Sequence, residues 1–440
     1  VQRLVDQQPN EFELHMRLPA SAFPVREPGE AEAHLQQRIC SVLKFAEWNL
    51  GRLQQHAKFW SDEDELVRRE DKLVTETVML LLVTDRVGAR EYDKCWENLA
   101  RYCIEWSRSK RTRCVIARHP RTVSILGIGH LLLTSLGYPD HSMDQLVENA
   151  IGTGQVGAQE LVPFRNLEQR WIEKQLTFAP QVSLTTADWE KSTSAITSDF
   201  PGIYVTREDC YALTHTMIYL SDFGWSEIKG IDSRILRKRL SGAISFALAV
   251  GDFDILGELL LSDAALPGGA SSAAHCGWAV RKKTLEDRGY LPGPGFRIDE
   301  YRDLSEAGQE AYAFWHKYHV AYVDALLCAS LLARSSSWLS SQPVYVDQDC
   351  DVQKTMDIAW PDLTAEAASI AATLHACPVA PAQLWETLTE MAAITVIRRY
   401  DLLALWNLLK ELNRSSLKPS SAVNMAGQFL SNQLQLKSDL

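Results

Sequence analysis

Apolar residues recur along this chain at helical spacing, broken by short polar turns, and three of those turns are alike. An aromatic–Asp pair opens a helical stretch at Tyr92–Asp93, at Phe253–Asp254 and at Tyr400–Asp401. An apolar helix precedes each across a very short break, over Thr75–Val87, Leu240–Val250 and Leu388–Arg399. A helical hairpin that cannot bury its apolar face alone must stack on neighbours. Internal similarity of this kind therefore predicts a helical-repeat body.

The same periodicity predicts helices over Ala31–His56, Asp71–Val87, Arg90–Ser109, Thr122–Leu136, Ser142–Ile151 and Glu160–Leu176. It continues through Arg207–Asp222, Ile231–Val250, Asp252–Ser262 and Ala273–Arg288. A last block holds Glu306–Ala333, Thr364–His375, Pro381–Arg399 and Asp401–Leu412. Only Pro343–Val352 and Val182–Leu184 have any strand character. Residues 1–28 read as an irregular arm, and 29–440 as one helical-repeat body with sub-blocks 29–177, 204–263 and 305–413. The fold class is all-α. Unequal repeats with long loops between them favour a closed or nearly closed α/α toroid around a pocket, with an open α-solenoid as the alternative.

Composition removes several functions. A net charge of −11 and a pI near 5.5 leave no general basic face for a nucleic-acid backbone. The longest apolar runs, such as Val78–Val83 and Ser245–Val250, are far too short to span a bilayer, and the first thirty residues hold no signal-peptide apolar region. The nine cysteines are odd in number and never form CxxC, which fits a reduced cytoplasm.

Four motifs invite chemistry and have simpler readings. Gly152-Thr153-Gly154-Gln155-Val156-Gly157 matches GxGxxG, but no strand precedes it, so it reads as a helix C-cap and loop. Asp347–Asp351 starts like a calcium loop, yet Val352 and Ile358 stand where glycine and glutamate are needed. Asp62–Glu65 sits in a wholly charged run, and Asp252 or Asp254 reads as an N-cap rather than part of a terpene-cyclase aspartate cluster. His275–Cys276 is a zinc-like pair without the remaining ligands. No metal and no cofactor is expected from these.

One stripe stands out. On Arg207–Trp225, helical spacing puts Tyr211, His215 and Tyr219 in line, flanked by Glu208 and Asp222. A helix with one greasy face normally carries charge opposite it; a titratable imidazole among phenols suits a pocket wall. The helix Tyr312–Ala333 repeats the idea with Trp315, His316, His319, Tyr322 and Asp324, and His130 is a fainter echo. Three such histidines could meet at a toroid's centre. The plain alternative is a core histidine bonded to its neighbours.

The phrase Tyr211–Gly224 and the hairpin Gly251–Asp254 resemble actinobacterial all-helical proteins of unknown function that accompany natural-product gene clusters. The resemblance implies secondary metabolism and brings no residue roles with it. The expectation is an enzyme using acid/base chemistry on a small or peptide-like metabolite. His215 would be the proton acceptor or donor, His319 its partner, Asp222 would orient it, and Tyr211, Tyr219, Tyr322 and Glu208 would hold substrate. A non-catalytic solenoid scaffold for a protein partner is the alternative, and a zinc-dependent cyclase or hydrolase the second.

Overall fold

Short polar side chains fix where many helices begin. Asp93 accepts from the Cys95 N–H, Asp140 from Met143, Ser271 from Ala274 and Thr364 from Ala367, each satisfying a donor that the first turn leaves free. The computed structural model describes residues 30–55, 65–175, 195–197, 202–334, 338, 364–414 and 420–438. The described residues are all-α and contain no strand. The 1–28 arm and the two stretches of expected strand character lie outside them.

The first helices are α1 Glu30–Gln55, α2 Arg69–Asp85, α3 Ala89–Tyr92, α4 Lys94–Ser107, α5 Lys110–Arg118 and α6 Val123–Leu126. Then come α7 Ile128–Ser135, α8 His141–Gly152, α9 Pro163–Gln175, α10 Arg207–Leu220, α11 Ser233–Val250 and α12 Phe253–Ala264. The rest are α13 Ser272–Arg288, α14 Ile298–Arg302, α15 Glu306–Ala333, α16 Ala365–His375, α17 Pro381–Arg398, α18 Leu402–Arg414 and α19 Ser421–Ser438.

All three aromatic–Asp hairpins form, α2 turning into α3 and α4, α11 into α12, and α17 into α18. Each turn passes through one left-handed residue, Gly88 (φ 79), Gly251 (φ 67) or Tyr400 (φ 55). The first helix of each hairpin is heavily buried, whereas α4 and α18 keep a wet face; Leu403 and Trp406 are 70% and 52% exposed. The middle hairpin departs from that rule. All twelve residues of α12 are buried, among α10, α11, α13 and α15. Its acids Asp254, Glu258 and Asp263 are almost wholly withdrawn from bulk water and must find partners inside the protein.

The spine is α15, 28 residues and so about 42 Å long, along which α1, α2, α12 and α14 pack. On one side of it Asp324 receives Arg38 from α1 at 2.7 Å and fully buried Arg281 from α13 at 3.0 Å. Arg281 also donates to the Phe253 carbonyl at 2.7 Å, and only a glycine at 257 leaves room for its guanidinium. One apolar cluster extends from Leu35 in α1 to Leu430 in α19.

Two expected helices are split: Arg90–Ser109 at Asp93 and Thr122–Leu136 at Gly127. Periodicity does not predict α5, whose buried face is only Thr112 and Ile116. It also misses α19, where Ala422, Val423, Ala426 and Leu430 are buried at helical spacing between amides and serines.

Candidate active site

The chemistry begins with a displaced cap. In α4 and α18 the Asp of the aromatic–Asp pair caps the helix, Asp93 accepting from Cys95 N–H and Asp401 from Ala404 N–H, each at 2.9 Å. In α12 the extra Asp252 takes that place, accepting from the Asp254 and Ile255 N–H groups at 3.1 Å. Asp254 is thereby set inside the first turn with its carboxylate released. It receives His319 Nδ1–H at 2.6 Å and Arg207 Nη2–H at 3.1 Å, while Arg207 Nε–H reaches Asp252 at 2.8 Å.

His319 comes from α15 and keeps 26% of its side-chain surface exposed, at the wall of a cleft of about 300 Å³. Its Nε2 lies 3.8 Å from Glu76 Oε1 of α2 and 3.9 Å from Glu258 Oε1 of α12. Burial alone would lower its pKa, but the bond and charge of Asp254, joined by Glu76 and Glu258, raise it to about 10. The ring is therefore an imidazolium at neutral pH. Burial would likewise raise Asp254, yet His319, Arg207 and Lys72 hold it below the ordinary carboxylate value.

Lys72 of α2, Arg207 and Tyr211 of α10, and Trp315 and Tyr318 of α15 share the lining with this pair. Pro294 closes one side from the loop before α14. Glycine at 293 brings that loop onto α15, because a Cβ there would overlap the His316 carbonyl oxygen.

The predicted stripe on α10 forms, but its members have different fates. Tyr211 lines the cleft and stacks on His215, ring centroids 4.9 Å apart. His215 stands behind it, against Phe164 at 5.3 Å. Its Nδ1–H donates to the Tyr211 carbonyl at 3.0 Å and lies 3.6 Å from Glu258 Oε2, which accepts Thr214 Oγ–H at 2.6 Å. Glu258 thus spans the two predicted histidines, one oxygen toward each.

Five predicted residues sit elsewhere. Asp222, expected beside His215, lies past the end of α10, which stops at Leu220, so helical spacing no longer carries it onto the stripe. Its backbone is left-handed (φ 50), and its carboxylate takes Trp171 Nε1–H at 2.6 Å and Arg86 at 3.0 Å. Tyr219 donates to Glu168 at 2.8 Å. Tyr322 faces α2, fully buried, and shares a 3.0 Å hydrogen bond with Thr77. Glu208 is exposed on the first turn of α10, where Arg207 takes the cleft side. His130 is buried apart from the cleft, between Arg108 and Asp144.

The other motifs resolve simply. Gly152 ends α8 and Gly154 turns with φ 73. Cys276 is buried, its thiol toward the Gln383 carbonyl at 3.7 Å. Among the described residues no group of three or more His, Cys, Asp or Glu is placed to hold a metal ion. Asp347–Asp351 and all of Asp62–Glu65 but its last residue lie outside the described residues.

Sequence reasoning missed Asp254, Glu258 and Glu76. A signal existed for the first two, because acids four apart in the apolar run Phe253–Leu261 share one helix face and must be paired. Nothing in the sequence sets Glu76 apart.

Comparison with known families and proteins adds one result. The chain belongs to the DUF6895 family, a domain of unknown function that matches residues 41–329. That span carries Glu76, Arg207, Asp254, Glu258 and His319, and ends within α15. No curated protein and no solved structure matches the chain. No helix of the described residues is long and apolar enough to cross a membrane.

Proposed function

We propose that this DUF6895 family member is an enzyme that transfers a proton on a small metabolite bound in the cleft, with His319 as the donor. The observation that carries this reading is the Asp254–His319 couple at 2.6 Å, charged and open to a cleft with aromatic walls. A group with a pKa near 10 is fully protonated at neutral pH. It is too weak an acid for a neutral carbonyl but suited to an oxygen that becomes strongly basic as a bond breaks. Asp254 keeps the imidazolium oriented through Nδ1, and the Nε2 proton, 3.8 Å from Glu76 and 3.9 Å from Glu258, is hydrogen-bonded to neither and is the one to pass to a substrate. His215 acts behind it, steadying Glu258.

The resemblance noted at Tyr211–Gly224 supports a metabolite of natural-product biosynthesis. A closed or nearly closed α/α ring and a reduced, cytoplasmic setting belong to the same proposal. The buried first helices of the hairpins support the ring, and the described cysteines, all free thiols, support the setting.

The test is to incubate the protein with a metabolite extract in D2O and compare masses with those from His319→Gln. Species that gain deuterium or disappear with wild type alone support the reading; identical profiles sink it. The scaffold alternative draws on α18, where Leu403 and Trp406 are exposed one turn apart outside the family span. One stoichiometric partner lost on Leu403→Asp would favour it.

A further inference from the structure

Charge around the cleft is layered. The cations lie outward: the side chains of Lys72, Arg207 and His319 are 63%, 38% and 26% exposed. The carboxylates lie beneath them, with Glu76 at 19%, Asp252 at 10%, Asp254 at 5% and Glu258 at 3%. Anything entering from water therefore meets the positive ends of these pairs first, and of the four carboxylates Asp254 alone borders the cleft. The chain as a whole carries −11, so this is local recognition rather than long-range attraction.

Aromatic faces complete the pattern, and two of them are already held by cations. The Arg207 guanidinium lies 4.9 Å from the centroid of Tyr211, and that of Arg69 lies 4.6 Å from Trp315. A cationic ligand would compete for faces already in use. Tyr211 also stacks on His215, so a flat neutral ring packs against its edge and against Trp315, and among the described residues the buried Trp315 Nε1–H has no acceptor. The volume, about 300 Å³, is at the small end for ligand pockets and suits one or two fused rings.

We propose that the cleft binds a small planar aromatic ring bearing a short acidic arm, with the acid between Lys72 and Arg207 and the ring against Tyr211 and Trp315. This names the substrate class for the proton-transfer reading and rests on it. A charge-assisted bond at the arm fixes the ring, and the reacting atom then lies beside His319. Carboxylate and phosphate satisfy the same donors, so both belong to the class.

Four probes sharing one ring test the proposal: indole-3-acetate, indoxyl phosphate, indole-3-acetamide and tryptamine, each titrated calorimetrically into the full chain. The anions should bind about ten-fold or more tightly than the amide, and tryptamine most weakly. Added salt should narrow the gap. Lys72→Gln changes an exposed side chain, so the variant should melt like wild type. It should lose about five- to ten-fold of anion affinity with no change for the amide. The relative strength of the two anions names the acidic group. Equal binding of anion and amine, no binding of either anion, or a Lys72→Gln variant with unchanged preference would each overturn the proposal. His319→Gln separates it from the reading beneath: the variant should still prefer anion to amine while its extract profile goes silent. Anion preference with silent profiles for both proteins would refute proton transfer and leave the ligand class standing.

Discussion

Two histidines in this protein each touch one aspartate, and one stays neutral while the other is charged. His130 donates from Nε2 to Asp144 at 2.8 Å; His319 donates from Nδ1 to Asp254 at 2.6 Å. The difference lies at the second nitrogen. His130 Nδ1 receives the Arg108 Nε–H at 3.2 Å, and a guanidinium can only donate, so that nitrogen must stay unprotonated. Burial and then the Arg108 charge lower the pKa of His130. At His319 the second nitrogen faces Glu76 and Glu258, and the pKa rises to about 10. His130 is wholly buried, whereas His319 keeps an edge at the cleft. A His–Asp contact is therefore not a site by itself. What stands on the far side of the ring, and whether a ligand can reach it, decides.

The comparison breaks first on turnover. Once a substrate is in hand, His319→Gln should cost about 10²–10⁴ in rate, while His130→Gln leaves the rate of folded protein unchanged. Steady-state assays on the two variants decide it, and equal losses would mean that the two histidines do not differ in role. Stability should follow the reverse order. His130→Ala empties a fully buried site and strands Asp144 and Arg108, at a cost of about 2–4 kcal/mol. The cost of His319→Gln should be smaller, since its ring keeps a solvent-facing edge and Asp254 retains Arg207. Urea melts of both variants give the ranking.

Most of the fold was legible because burial writes period 3.6 into the sequence. The helix Glu306–Ala333 is read to its ends, and the hairpins are found from their aromatic–Asp pairs. The site was half legible. His319 and Tyr211 stand out as polar aromatics on apolar faces, and both line the cleft. Asp254 was hidden because Asp252 and Asp254 are equally good caps on paper, and only the folded register frees the second. Asp222 was misplaced for a related reason. Helical spacing extrapolates past Leu220, where the backbone leaves the helix for three left-handed residues, Asp222, Phe223 and Gly224. Glu76 meets His319 across a sequence gap that no local pattern bridges.

The pH dependence sharpens the contrast, because the two rings act with opposite sign. His319 is raised above its ordinary value of 6.5, so its stabilisation is fully present below that pH and is lost as the pH climbs toward about 10. His130 is lowered, so its stabilisation is present above 6.5 and is lost as the pH falls through its depressed value. Melting temperature should fall on both sides of neutrality. The alkaline limb should flatten in His319→Gln and the acid limb in His130→Gln. Histidine ring NMR gives the direct check: one ring stays doubly protonated well above neutrality, and the other stays neutral below 6.5. Both rings titrating near 6.5 would dissolve the comparison.

The smallest expected effect tests how the charged pair is held. Asn caps a helix about as well as Asp, so Asp252→Asn should preserve the start of α12 and remove only the charge under Arg207. That pair is partly exposed on the arginine side, and its loss should cost under about 1 kcal/mol. Asp93→Asn in the first hairpin makes the matching change at a cap with no histidine near it, and should be equally mild. The two variants should part only at His319. With Asp252 neutral, Arg207 turns its whole charge on Asp254, which then has less to give the imidazolium, and the His319 titration should slide below 10. In Asp93→Asn it should stay in place. A His319 titration that ignores Asp252→Asn would mean that Asp254, Glu76 and Glu258 hold the ring without help from the cap, and that the displaced aspartate does no more than start a helix.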